Sequence, residues 1–301
     1  MIPKSAYKAA LAHFAYSSEK VARRIALKTD RKDFLSYILK ANEDGMTLPE
    51  LEATSSIIIL AGSESTSTML TATTNFLLRN PSKLEKLAAE IRSSFKNESE
   101  VTMSALEHLP YLKAVFQEGF RMTPPVPTQI PRIVPPEGDV VCGHNLPGNV
   151  GRFRSIKLIA ASILNPGTTQ TFVGLPQYAA CHHADHFVHP DTFIPERWLP
   201  ESSALVVPSA SDPPFTYSTF MNDAKSVVQP FSVGPRACIG INLAYAEMRL
   251  VLSRLLWNFD IQTPTIVRDG LPEKDGLIFE DQKTYALRER KPLRVELIPL
   301  R

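Results

Sequence analysis

The chain has 301 residues, 44% of them hydrophobic and 21% charged, which is enough for one large domain or two smaller ones and excludes a disordered chain. Its 33 basic and 31 acidic residues leave a formal charge of +2, so nucleic acid is not an expected partner. No run approaches the roughly 20 apolar residues that cross a bilayer, and the first twenty residues lack a signal-peptide pattern.

Residues 5–42 read as helix, with apolar Leu11, Phe14, Val21, Ile25, Phe34 and Ile38 recurring at helical spacing. Thr47-Leu-Pro-Glu50 is a capping box that opens a long helix to about Leu78. The centre of that helix, Ile57-Ile-Ile-Leu60, is apolar on every face and is expected to be buried. Asn80-Pro81 starts the next helix with proline at its first position, and Leu84, Leu87, Ala88 and Ile91 line one face. Ser104-x-x-Glu107 reads as a cap, followed by helix from Leu109 to Met122 that ends at Thr123-Pro-Pro125.

The chain then changes character. Short strand-like pieces (Arg132–Val134, Val140–Val141) alternate with proline and glycine turns, and 170–235 is a long meander. A last helix is expected from about Cys238 to Phe259, with Ile241, Ala244, Tyr245, Met248, Leu252, Leu255 and Leu256 as its apolar stripe. The tail around Leu293–Leu297 alternates like a strand. The 25 prolines gather in the irregular connectors. Three cysteines, Cys142, Cys181 and Cys238, are too few and too odd in number for a disulfide framework and point to a reducing compartment.

Four groups of residues carry chemistry. Phe231-Ser-Val-Gly234-Pro-Arg236-Ala-Cys238-Ile-Gly240 puts a cysteine behind a Gly-Pro turn, beside an arginine, at a helix start. A lone cysteine there reads most simply as a buried structural thiol, but the helix end and the arginine also suit a thiolate that ligates a metal. Glu118-Gly-Phe-Arg121 places an acid and a base at i, i+3 on one helix face, which alone is no more than an ion pair of about 0–1 kcal/mol. Ala61-Gly62-Ser63-Glu64-Ser65-Thr66 interrupts a helix with a glycine that costs about 1 kcal/mol relative to alanine, so the glycine needs a reason. His182, His183, His186 and His189 could serve zinc, but no carboxylate or cysteine falls at a matching helical spacing.

Taken together, the decapeptide resembles the F-x-x-G-x-R-x-C-x-G signature of the haem-thiolate monooxygenases, the cytochrome P-450 family. Its filamentous-fungal microsomal members of secondary metabolism are the nearest in pattern. The resemblance implies a mainly α fold with small β-sheets, one haem-binding region over 1–301, and only the C-terminal part of the family fold. It implies haem b held by Cys238 as axial ligand, with Phe231, Gly240 and Arg236 around it and Arg132 as a second propionate partner; a solvent-exposed strand arginine is the alternative for Arg132. It implies an oxygen groove at Ala61 and Gly62 and a proton relay of Glu64 and Ser65, with Thr66 next. The family places threonine where this chain has Ser65. Glu118, Arg121 and Arg197, the last from Phe193-Ile-Pro-Glu-Arg-Trp198, are implied to form a network that holds the meander and the cysteine loop. Val126, Pro127 and Thr128 are implied to touch substrate.

The implied reaction inserts one oxygen atom from O2 into an apolar small molecule, with electrons from NADPH-cytochrome P-450 reductase. The family's membrane anchor has no counterpart here, so the expected location is the endoplasmic reticulum membrane by family, or the cytoplasm if this shorter chain is the product. The rival reading is a non-catalytic truncated fragment with impaired haem binding, and little turnover is expected of the isolated chain. Residues 150–166 are surplus to the family pattern. They read either as a retained in-frame intron or as a basic amphipathic surface helix around Arg152-Phe-Arg-Ser-Ile-Lys-Leu-Ile159.

Overall fold

The computed structural model describes residues 4–27, 29, 31–40, 45–148, 171–200, 217–264, 282–284, 287 and 292–300. The expected insertion at 150–166 lies outside the described residues. The chain divides into two compact units, 1–65 and 66–301.

The first unit is helical. The stretch 5–42, expected to be helical, forms two helices, α1 (Lys4–Ala26) and α2 (Phe34–Lys40). The break has a local cause at Asp33. Its Oδ1 accepts the Ser36 N–H at 2.9 Å, which caps α2, and its Oδ2 accepts from Arg24 Nε at 2.7 Å. The long helix α3 (Leu48–Arg79) starts here. The Thr47 N–H and hydroxyl both donate to Glu50 Oε2, at 2.7 and 2.8 Å, and these bonds hold the Glu50 carboxyl below its usual range. The run Ile57–Leu60 is not buried as expected: Ile57 is 68% and Leu60 45% exposed. The covered side of α3 is the one carrying Leu51, Ser55 and Ser56, where His13 Nε2 of α1 lies 3.1 Å from the Ser56 carbonyl. An all-apolar helix is buried only where elements surround it, and α1 covers one side.

The second unit holds the main core. It contains α3 from Thr66 onward, α4 (Pro81–Ser94), α5 (Met103–Leu106), α6 (Pro110–Met122), α7 (Gln177–Cys181) and α8 (Ile241–Asn258). Pro81 and Pro110 stand in the first turns of α4 and α6, where a missing N–H costs nothing. Leu87 and Ile91 of α4, Leu112 and Phe116 of α6, and Leu252 and Leu256 of α8 meet in one cluster and are all at most 1% exposed. α5 is capped by Thr102, whose hydroxyl oxygen accepts the Ala105 N–H at 3.3 Å, and not by Ser104 as its sequence pattern indicates.

Among the described residues, three two-stranded antiparallel sheets complete the unit. β1 (Arg132–Ile133) pairs with β4 (Phe172–Val173), and β2 (Asp139–Val141) with β3 (His144–Leu146) through a turn at Cys142 and Gly143, both with positive φ. β5 (Phe259–Gln262) pairs with β6 (Glu296–Pro299), which starts three residues beyond the strand expected from Leu293. No helix among the described residues is long and apolar enough to cross a membrane.

Candidate functional site

α6 is the rail on which the second unit's polar site is built. It is buried along most of its length, and Glu118 and Arg121 are both fully enclosed. Gly119 lets α6 lie close against α3. A Cβ added there would come 2.8 Å from Thr73 Oγ1 and 3.2 Å from Met69 Cε.

The Glu118 carboxylate accepts from Arg121 at 2.8 and 2.9 Å and from Arg197 Nε at 3.1 Å. It also accepts from the Ile194 N–H and the Trp198 indole, each at 2.8 Å. Burial pushes this carboxyl up, but the guanidinium of Arg121, then Arg197 and the Ile194 N–H, outweigh it and hold it below its ordinary range. The guanidiniums spend their remaining donors on meander carbonyls. Arg121 reaches Cys181, Pro190 and Thr192, and Arg197 reaches Val188. Arg197 also pairs with Asp223, and neither side chain is more than 1% exposed. Phe187 stacks near both guanidiniums, with centroid distances of 5.2 and 5.8 Å. Four buried charges thus sum to zero, the condition under which a buried ion network is tolerated.

Sequence reasoning named Glu118, Arg121 and Arg197. It did not name Asp223, which carries no motif of its own, nor the indole of Trp198 as a fifth donor, although that residue ends the Phe193–Trp198 stretch.

The cysteine loop leaves this network and ends at α8. Ser232 and Gly234 adopt left-handed φ of 59° and 76°, and a 3-10 turn spans Gly234–Arg236. The Ala237 N–H bonds the Gly234 carbonyl at 2.9 Å, and the Cys238 N–H bonds the Phe231 carbonyl at 2.8 Å. Cys238 sits two residues before Gly240, the N-cap of α8, so it precedes the helix that was expected to start with it. The Phe231 ring packs edge-on to Phe120 of α6 at 5.2 Å and against Tyr245 of α8 at 5.2 Å. Burial raises the Tyr245 hydroxyl, partly offset by Arg249.

Cys238 is exposed, and its neighbours Val233 and Ile239 are 65% and 97% exposed. A side chain at Gly240 would touch Cys238 Sγ at 3.8 Å, so glycine keeps that side of the sulfur open. Arg236 is exposed beside the thiol. Arg132, on β1, reaches Ser232 Oγ of the same loop at 3.5 Å, which brings the second expected arginine to the loop. An accessible thiol, uncovered apolar side chains and two exposed arginines form a donor set that fits haem: a soft ligand for iron, apolar area for the macrocycle and cations for its propionates.

The other expected residues belong to other elements. Ala61, Gly62, Glu64 and Ser65 belong to the first unit and Thr66 to the second, all within unbroken α3. The Ser65 hydroxyl donates to the Ala61 carbonyl one turn back. A Cβ at Gly62 would meet nothing within 4 Å. Pro127 is buried and its carbonyl accepts from Tyr178 N–H at 3.0 Å, while Val126 and Thr128 are half-buried.

The histidines serve the meander. His182 lies 2.8 Å from Asp191 Oδ1 and 3.0 Å from the Met122 carbonyl, and His186 lies 2.8 Å from the Ala180 carbonyl. Among the described residues no group of three His, Cys, Asp or Glu is placed to hold a metal ion. The other two cysteines take no part in the loop. Cys142 is exposed at the β2–β3 turn, and burial pushes the Cys181 thiol up to about 11.

A family model described as Cytochrome P450 matches residues 6–149 and 168–287. The chain is 39% identical over 298 residues to cytochrome P450 monooxygenase atr2 of Stereocaulon alpinum, covering 99% of this chain and 50% of that one. It is 39% identical over 289 residues to cytochrome P450 monooxygenase astA of Talaromyces wortmannii, covering 95% and 49%. Against the averantin hydroxylase of Dothistroma septosporum it is 36% identical over 299 residues, covering 99% and 49%. The chain spans about half the length of these curated relatives. With the match covering most of its residues, this chain belongs to the cytochrome P450 family.

Proposed function

We propose that the chain holds haem b through the Cys238 thiolate and serves the insertion of one oxygen atom from O2 into an apolar small molecule of fungal secondary metabolism. The observation that carries this reading is the exposed Cys238 on a loop held by Phe231, Ser232 and Gly234 and flanked by uncovered Val233 and Ile239. Haem ligated by a thiolate favours cleavage of the O–O bond of O2. Arg236 and Arg132 take the propionates. Gly240 leaves the sulfur open, and Phe231 with Phe120 and Tyr245 fixes the base of the loop.

Ala61 and Gly62 form the oxygen groove, and Glu64, Ser65 and Thr66 supply protons. Relay through Ser65 requires its hydroxyl to turn away from the Ala61 carbonyl, a rotation that an unbranched side chain makes readily. Val126, Pro127 and Thr128 contact the substrate. NADPH-cytochrome P450 reductase is the electron donor, at the endoplasmic reticulum membrane.

A second reading keeps the family fold without turnover. It is favoured by the apolar surface left open at Ile57 and Leu60 of α3, 68% and 45% exposed, which an active enzyme would be expected to cover. Incubation of the haem-loaded chain with reductase, NADPH, O2 and a panel of polyketide-like apolar substrates separates the two. Oxygenated product that depends on Cys238 supports the first reading. Haem binding with NADPH consumption but no product supports the second.

A further inference from the structure

Asp223 is a buried charge of the second unit that the reading above leaves without a task. Its side chain is 1% exposed and pairs with Arg197, whose guanidinium also holds Glu118 of α6. Its other oxygen, Oδ1, accepts the Val188 N–H at 2.9 Å. The next residue adds a main-chain tie, Ala224 N–H to the His186 carbonyl at 2.7 Å. Asp223 therefore anchors the start of the segment that ends at Cys238.

Between those two residues the chain runs through short turns closed over neighbours: Val227 N–H to Ala224, Val228 N–H to Lys225, Ser232 N–H to Gln229 and Cys238 N–H to Phe231. Turns of this kind set local shape but do not fix where the segment lies. The Gln229 N–H donates to Gln177 Oε1 of α7 at 3.2 Å and Ser232 meets Arg132 of β1, while two ties lead to α6: the Phe231 ring on Phe120, and the Asp223 carboxylate on Arg197 and so on Glu118. Phe120 and Glu118 are two residues apart on the same helix, so one rail receives both ends of the span 223–231.

We propose that Asp223 is a positioning residue for the Cys238 loop, fixing the segment 224–238 against α6 through Arg197. The charge count explains why an acid is needed. Without Asp223 the cluster of Glu118, Arg121 and Arg197 keeps one uncompensated buried positive charge, and a buried charge without a partner loosens whatever holds it. Lys225, whose ammonium burial pushes below its usual range, lies next to the same network and would add to that excess. The proposal rests on the reading of Cys238 as the haem ligand only in its consequence for ligation; the tethering itself concerns the chain alone.

The test uses the full chain with two readouts. In Asp223→Asn, which keeps the shape of the side chain and removes its charge, amide hydrogen exchange is expected to speed up several-fold in peptides covering 186–190 and 224–238. Peptides from α8 covering 248–257 are expected to be unchanged, and Asp223→Glu is expected to restore part of the protection. In haem-loaded samples the same order, wild type above Asp223→Glu above Asp223→Asn, is expected for the fraction of reduced, carbon-monoxide-bound protein that shows the red-shifted thiolate band, at equal haem content and equal far-UV circular dichroism. Glu90→Gln, a substitution on α4 that weakens the cap of α6 away from the loop, is the comparator for general destabilisation. Exchange that rises only at 186–190 overturns the proposal, as does a thiolate fraction that tracks thermal stability alike in Asp223→Asn and Glu90→Gln. If the unsubstituted chain shows no thiolate band, the reading of Cys238 fails, and the exchange result still decides the role of Asp223.

Discussion

The carboxylate of Glu90 on α4 caps α6 across the core: its two oxygens accept the Tyr111 and Leu112 N–H groups at 2.7 and 2.8 Å. Pro110 has no N–H to offer, so these are the first two free amides of the helix that carries Glu118 and Arg121. Loss of a cap costs about 0.5–2 kcal/mol. Glu90→Ala is therefore expected to lower stability by about 1–2 kcal/mol in urea denaturation, while a surface acid such as Glu85 replaced by alanine changes it little.

Glu90 also has a pH signature. Burial pushes its carboxyl above the ordinary value, and the two N–H bonds offset this only in part. The folded state then holds the proton to higher pH than the unfolded state. Stability contributed by this group is full below the unfolded value and is lost as pH rises toward the folded value. Glu118 has the opposite sign: its carboxyl lies below the ordinary value, so its contribution is present above the unfolded value and is lost as pH falls through the folded one. In chemical denaturation at stepped pH, Glu90→Gln is expected to remove the loss of stability just above the ordinary carboxylate range and to leave the acid limb in place.

Removing Glu118 leaves two enclosed guanidiniums with one acid between them. Breaking a buried pair on one side costs about 3–5 kcal/mol, comparable with the stability of a whole domain, about 5–15 kcal/mol. Glu118→Ala is expected to yield chain that is largely unfolded or aggregated at 25 °C by circular dichroism and size-exclusion chromatography. Glu118→Gln, which keeps the acceptor oxygen, is expected to fall between it and wild type.

Gly119 is where α6 meets α3. Alanine is favoured over glycine in a helix by about 1 kcal/mol, but here its methyl would lie 2.8 Å from Thr73 Oγ1. Overpacking of this kind costs about 1–3 kcal/mol, so Gly119→Ala is expected to be net destabilising. The Thr73 hydroxyl is buried without a hydrogen-bond partner, and removing it opens the space. In a double-mutant cycle Thr73→Ala is expected to recover at least half of the loss.

The family match leaves 150–167 unaligned, and the described chain on either side closes up without it: the Thr171 hydroxyl donates to the Pro147 carbonyl at 2.9 Å, and β1 pairs with β4. Deletion of 150–166 is expected to leave the thermal midpoint within a few degrees of the parent. A fall of more than about 10 °C would contradict the view of this stretch as surplus.

Much of this was legible in the sequence because it depends on local chemistry. Pro81 announces its helix start, Thr47 and Glu50 their cap, and the spacing of Met248, Leu252 and Leu256 the buried face of α8. What the sequence hid was tertiary. Glu90 caps a helix twenty residues away, and Asp223 closes a charge cluster from a stretch without a motif. Ile57 looked like core because periodicity reports how apolar a helix is, not what stands beside it. The boundary of α8 moved because Gly240, not Cys238, takes the cap position.

The most direct test of the central claim is the reduced, carbon-monoxide difference spectrum of the chain expressed with haem precursor, alongside Cys238→Ser. A red-shifted Soret band is expected in the parent and its loss in the variant, with Cys142→Ser unchanged. An unshifted band that is the same in the parent and in Cys238→Ser, or no haem uptake by either, would contradict that claim.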